Sequence, residues 1–332
     1  LAPRLDATEV KPMILGHAEF EAYAAAANHR ATEWAKAHRP MLEALAPGCL
    51  PKAVIRTLAE DLLDRFAGVP LLSRYDVYQR LMEYWDEEMQ DDLYLIAPDG
   101  WTKGALPRLT LKDSKGKKDL ETPDLKIGKT KYQMDLVPPG LLVARFFADE
   151  QHGVDDLQTA QDAAERELDE FIEECSGEED LLEDAKSDTG KVSNGQAKGR
   201  LKEIKEVKEI KGGAEMAEEA EAITRVLKFM DTEAAAKKAT KTAQEILDQA
   251  VLEKYDDLSE DEIKTIVIED KWNATIAGLI DGEVRRLSNR LATRVADLRE
   301  RYDATMPELE AQVEDLDAKV EQHLRDMGLV VS

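Results

Sequence analysis

Few of the side chains able to do chemistry stand at useful spacings. The one Pro-Pro pair, Pro138-Pro139, is preceded by Val137 and followed by Gly140. A loop that methylates a flipped adenine needs an Asn or Asp before such a pair, to accept from the amino group, and an aromatic after it, to stack on the base. Both are missing, so the pair reads as a helix start, where Pro suits the first turn. No glycine-rich phosphate loop of either common pattern occurs. The five histidines, His17, His29, His38, His152 and His323, form no HExxH and no close pairing with cysteine, so no metal site is expected. With 70 carboxylates, acidic pairs arise at every spacing and carry no acid–base signal. The expected catalytic, cofactor-binding and metal-binding residues are therefore none.

One basic stretch stands out. Residues 101–131 hold nine Lys and Arg against four acids, flanked by Trp101 and Tyr132. Lys112, Lys115, Lys117 and Lys118 could touch a phosphate backbone, or they could be a solvated loop.

The elements that must position these residues are mostly helices. The chain of 332 residues is 43% hydrophobic, 35% charged and only 5% aromatic, a balance that favours long solvated helices. Three of the four tryptophans, Trp34, Trp85 and Trp101, lie early, which places the expected compact core in the N-terminal half. A net charge of −25 repels nucleic acid over any broad surface and is otherwise a device for solubility. Cys49 and Cys175 are far apart and form no disulfide framework, which suits a reducing cytosol. No apolar run is long enough to span a membrane, and the start Leu1-Ala-Pro-Arg4 resembles neither a signal peptide nor an initiation site. The chain is expected to be cytoplasmic and to be a fragment, a split gene product or a truncated form of a longer protein.

Apolar residues at steps of three and four predict a helix over 17–40, ending near Pro40, then one through Ile55, Leu58, Leu62 and Phe66. A third begins near Ser73 and carries Tyr78, Leu81, Met82, Trp85 and Met89 on one face. Leu93–Ile96 reads as a short strand with Leu109–Leu111 as its partner, and 112–131 as a loop. A new helix runs from Pro139 into a segment, 155–184, with 14 acids and one Arg. Residues 176–211 read as an acidic or polar linker, flexible in its Gly/Ser part, with 201–211 either a charged edge strand or a short helix.

Ser259–Glu262 is a capping box. Beyond it Trp272, Ile276, Ile280, Val284, Leu287, Leu291, Val295, Leu298 and Tyr302 step by three or four, close to a heptad. A second capping box, Thr305–Glu308, opens a helix carrying Leu309, Val313, Leu316, Val320, Leu324 and Met327, with Gly328 as its stop. The expected fold class is mainly α: a helical domain with a small β-hairpin over 1–175, the linker over 176–211, and a long-helix region over 212–332 that ends in an antiparallel helical hairpin. That hairpin either packs on its own domain or completes a bundle with another chain. The second reading is favoured, with Leu287, Leu291, Val295, Leu298, Val313, Leu316 and Val320 as the subunit interface.

Three blocks also carry a resemblance. Leu71–Ile96, Tyr132–Ala148 and Leu258–Trp272 with the hairpin after it resemble, in that order, the region downstream of the catalytic domain in modification (M) subunits of type I restriction–modification systems. Residues 175–255 resemble nothing in that family. The resemblance implies an S-adenosylmethionine-dependent adenine-N6 DNA methyltransferase. It implies a complex of two M subunits with one specificity (S) subunit, to which restriction (R) subunits can add, and DNA contact through the complex. It also implies that the C-terminal helices associate with the helical spacer of the S subunit. The family's cofactor loop and Asn-Pro-Pro-Phe loop lie upstream of these blocks. This chain lacks both, so it is expected to hold no cofactor and to be inert as an enzyme alone. The rival reading is a free-standing helical adaptor with no link to methylation.

Overall fold

The computed structural model describes residues 7–112, 119–176, 181–186, 192–211, 214–301 and 306–327. The chain is mainly α, as its composition and periodicity predict, with one small antiparallel sheet. It divides into two compact units, and the division does not follow the expected boundaries at 175 and 211. One unit joins the N-terminal residues 1–101 to the C-terminal residues 264–332, and the other is the intervening 102–263.

The first unit contains α1 (Ala7–Leu15), α2 (Ala18–Glu43), α3 (Pro51–Arg65), α4 (Arg74–Tyr84) and most of α5 (Gln90–Gly104). From the C-terminal side it takes α11 (Ala274–Arg301) and α12 (Met306–Asp326). Local chemistry starts these helices. His17 Nδ1 accepts from Glu19 N at the start of α2, and Ser73 Oγ accepts from Tyr75 N at the start of α4. Pro51 occupies the first turn of α3, where its missing N–H costs nothing. Helix α2 continues to Glu43, past the expected stop at Pro40.

Leu93–Ile96 is helical, within α5, and not a strand. A four-residue apolar run fits either period, and here Asp92, Leu93 and Ile96 fall on one buried helical face. Gly100 then adopts φ 74° and kinks the helix, a conformation that favours glycine, with Pro47 3.4 Å from where a Cβ would stand. The kink turns Trp101 into the core, where its Nε1 donates to Leu45 O at 2.8 Å. Trp34 is buried likewise, donating to Leu58 O at 3.1 Å.

Two stretches are π-helical, Trp85–Met89 between α4 and α5, and Ile266–Asn273 before α11. Each widens the helix by one residue and changes which side chains face inward. Helix α11 then packs on α1, α2 and α4. Its buried residues Ile276, Ile280 and Val284 account for the first part of the expected heptad stripe, and Ala292 is buried as well.

The second unit holds the sheet and α6 (Pro139–Phe146), α7 (Ala148–Cys175), α8 (Asn194–Lys211) and α9 (Ala214–Asp256). It also holds most of α10 (Glu260–Thr265). The segment 112–131 is not all loop. Strand β3 (Thr130–Gln133) pairs antiparallel with both β1 (Arg108–Leu109) and β2 (Leu125–Ile127). The helix expected from Pro139 is two helices, α6 and α7, broken at Phe147.

The linker reading of 176–211 does not hold for the residues described, whereas a short helix, one of the two readings of 201–211, does. Asn194–Lys211 is a helix, and Leu182, Ala185, Ala197 and Ile204 are buried with Leu168, Phe171, Ile223 and Val226 from α7 and α9. These apolar residues are sparse, but at helical spacing they supply one continuous buried face. A second core therefore lies outside the N-terminal half. Arg225 sits 4.3 Å over the Phe171 ring, shielding that core's edge. The capping box at Ser259 forms as expected, with Glu262 Oε2 accepting from Ser259 N at 2.9 Å.

Candidate docking surface

The predicted interface residues belong to α11 and α12, both in the first unit. A buried ion pair sets the path of α11 at its start. Lys271, in the second π-helical stretch, donates to Asp92 Oδ1 at 2.8 Å, and the neighbouring Trp272 Nε1 donates to Asp92 Oδ2 at 2.8 Å. Both charged side chains are under 5% exposed. Lys271 also lies 3.1 Å from half-exposed Glu88. Burial pushes the Asp92 carboxyl up to about 6, against the opposing pull of Lys271 and Trp272. This cluster fixes the C-terminal segment onto α5.

Further along, α11 is held by buried Glu283. It accepts from Arg80 Nε at 2.7 Å and from Arg286 Nε at 2.8 Å. Burial opposes ionisation of this carboxyl, but the two guanidinium groups outweigh it and hold its pKa below the ordinary value. Asn28 adds a hydrogen bond to Asp281 at 3.2 Å.

Beyond this anchored part, the same apolar face of α11 opens to solvent. Leu287, Leu291 and Leu298 are half-buried, and Val295 is exposed. Leu287 and Leu291 line a shallow groove of about 980 Å³, together with Arg290, Arg294, Asn289 and Thr293. Arg290 and Arg294 are exposed. These arginines lie outside the basic stretch 101–131. The legible signal was their spacing: Arg286, Arg290 and Arg294 recur every four residues, which is one helix face.

Helix α12 buries no residue. Val313, Leu316 and Val320 are 57%, 59% and 55% exposed, and Met306 and Leu309 are exposed too. Five apolar positions at heptad spacing, left in water, form an open stripe of the kind that marks an interaction surface. The sequence-predicted stripe thus falls on two helices, and the structure does not bring its two halves together. The Tyr302 position, the Thr305 cap and the Gly328 stop lie outside the described residues.

The basic stretch has a different fate from the one its composition suggests. Arg108 makes paired hydrogen bonds to Glu121, both at 2.8 Å, and also binds Asp135, while Lys131 pairs with Asp119. These two cations brace the sheet. Lys112 is exposed, and Lys115, Lys117 and Lys118 lie outside the described residues. Pro138 caps and Pro139 opens α6, while the preceding Val137 carbonyl accepts from buried Tyr255 Oη at 2.6 Å. The Pro-Pro pair is a structural helix start. Among the described residues no cluster of metal-ligating side chains occurs, and no helix is long and apolar enough to cross a membrane.

No family model, curated protein or solved structure matches this chain. What it can do must be argued from its own surface, where the apolar stripe of α12 is exposed.

Proposed function

We propose that this chain is the C-terminal region of a type I restriction–modification M subunit, acting as an assembly module that joins the methyltransferase to its specificity subunit. One observation supports the reading most directly: the apolar stripe of α12, with Val313, Leu316 and Val320 more than half exposed, has no cover within the chain. A helical spacer from another subunit would bury that stripe and the Leu287–Leu291 edge of α11 in one bundle. The three sequence blocks named above supply the family.

On this reading the chain contributes no catalytic group. Base flipping and methyl transfer from S-adenosylmethionine belong to a region upstream of it. The second M subunit, the R subunit and DNA are reached through the assembled complex in the cytoplasm. Lys112 and the lysines after it would contact the DNA backbone only there.

Co-purification with the specificity subunit, sized by light scattering, tests the proposal. A stable complex is expected, lost when Leu291 or Leu316 becomes Asp. If no complex forms with the wild-type chain, the module reading falls and the free-standing adaptor takes its place. Methylation of DNA by the purified chain alone would also refute it.

A further inference from the structure

The groove of α11 and the stripe of α12 are complementary in three respects. The first is shape of pattern. Along α11 the open leucines Leu287, Leu291 and Leu298 are spaced by four and then seven; along α12 Leu309, Leu316 and Val320 are spaced by seven and then four. An antiparallel approach therefore faces Leu298 with Leu309, Leu291 with Leu316 and Leu287 with Val320, which is the layering of an antiparallel helix pair. The second is charge. Arg285 and Arg286 are already paired with Asp281 and Glu283, but from Arg290 to Arg301 there are four arginines against two acids, and from Met306 to Met327 seven acids against two basic residues. In a chain of net charge −25 this short basic strip faces a strongly acidic helix. The third is vacancy. The groove is open, and no residue of α12 is buried, so each molecule offers both halves unfilled. Pro307 stands in the first turn of α12, where a helix can begin but not continue, so α12 is an independent helix and not an extension of α11.

We propose that α12 of one copy of this chain seats antiparallel in the α11 groove of a second copy, and that the exchange is reciprocal about a two-fold axis. Two copies then satisfy both grooves and both stripes, which is the low-cost route by which an exchanged element makes a closed dimer. The apolar floor of Leu287 and Leu291 selects an amphipathic helix over a phosphate backbone, which would leave those side chains in water. The proposal needs only this chain and does not rest on the family reading; a second copy would occupy the α12 stripe and the Leu287–Leu291 edge that a specificity subunit would otherwise cover, so the two occupants exclude each other.

Sedimentation of the full chain over a range of micromolar concentrations tests it. A monomer–dimer equilibrium is expected. Leu316→Asp, in α12, and Leu291→Asp, in α11, should each weaken dimerisation by at least about tenfold, since each puts a charge into a helix seam. Arg290→Glu with Arg294→Glu, at exposed positions that the fold does not need, should do the same if Leu291→Asp perturbs folding. The decisive measurement is a mixture of Leu316→Asp and Leu291→Asp chains. One groove and one helix remain intact between them, so a heterodimer with a single exchanged helix should reappear. A wild-type chain that stays monomeric overturns the proposal. So does a dimer that survives Leu291→Asp, which would mean that two α12 helices pair directly, or a wild-type monomer that binds a DNA oligonucleotide through Arg290 and Arg294.

Discussion

Lys271 and Asp92 form a buried ion pair 179 residues apart in sequence, with Nζ 2.8 Å from Oδ1. It ties the second π-helical stretch to α5 and so joins the C-terminal segment of the first unit to the N-terminal one. Removing one partner strands a charge. Asp92→Ala should cost about 3–5 kcal/mol, toward the lower end because Glu88 still faces Lys271. The double variant Asp92→Leu/Lys271→Met should lose less than the sum of the two single changes. Urea denaturation of the four proteins in a double-mutant cycle measures this, and simple additivity would mean the pair does not couple.

The same carboxyl makes the first unit's stability depend on pH in an unusual direction. Its folded value is about 6, against an ordinary 3.8. Between those values the folded state binds more protons than the unfolded one, so this group's contribution to stability rises as pH falls from about 6 towards 4. Lys271, Trp272 and Glu88 face it, and of these Lys271 and Trp272 oppose the shift while Glu88 adds to it. Carbon-detected NMR of the Asp92 carboxyl should give a midpoint near 6. In Asp92→Asn the corresponding slope in stability should disappear; a slope that remains would place its origin elsewhere.

Much of this architecture is legible in residue order, and the exceptions have physical causes. The starts at Ser73, Pro139 and Ser259 are readable because a cap or a first-turn proline acts within three residues. The steps of three and four in α11 are readable too, but they cannot say which partner covers them. Ile276, Ile280 and Val284 are covered by the chain itself, whereas Val295 and Val313 are not. Leu93–Ile96 is helical although it reads equally as a strand, because four apolar residues fit both periods. The π-helical turns leave no periodic trace, because each displaces the pattern by one residue only. The closing of residues 1–101 on 264–332 depends on contacts such as Asp92 with Lys271, which no local window contains.

The supposed linker gives a sharp test of the second core. Ile204 is 2% exposed in α8, packed with Phe171, Leu182 and Ile223. Ile204→Ala should destabilise the chain by about 2–5 kcal/mol, as for other large-to-small changes in a packed core. A flexible tether would register nothing. Amides of Ala197–Ile204 should exchange slowly with deuterated solvent, at rates close to those of α9, and fast exchange there would mean that α8 is not docked.

Helix α12 should behave in the opposite way. Leu316 is 59% exposed, so Leu316→Asp removes almost no buried surface from the isolated chain. Its effect on thermal unfolding of the monomer should fall within about 0.5 kcal/mol, as for surface positions generally. Ile280→Ala, on the buried face of α11, should cost about 2–5 kcal/mol in the same measurement. The two results together separate the halves of one periodic pattern. The Ile280 half holds the fold, and the Leu316 half is free to be spent on a second chain. If Leu316→Asp were as damaging to the monomer as Ile280→Ala, the stripe would be covered within the chain and no external docking surface would exist.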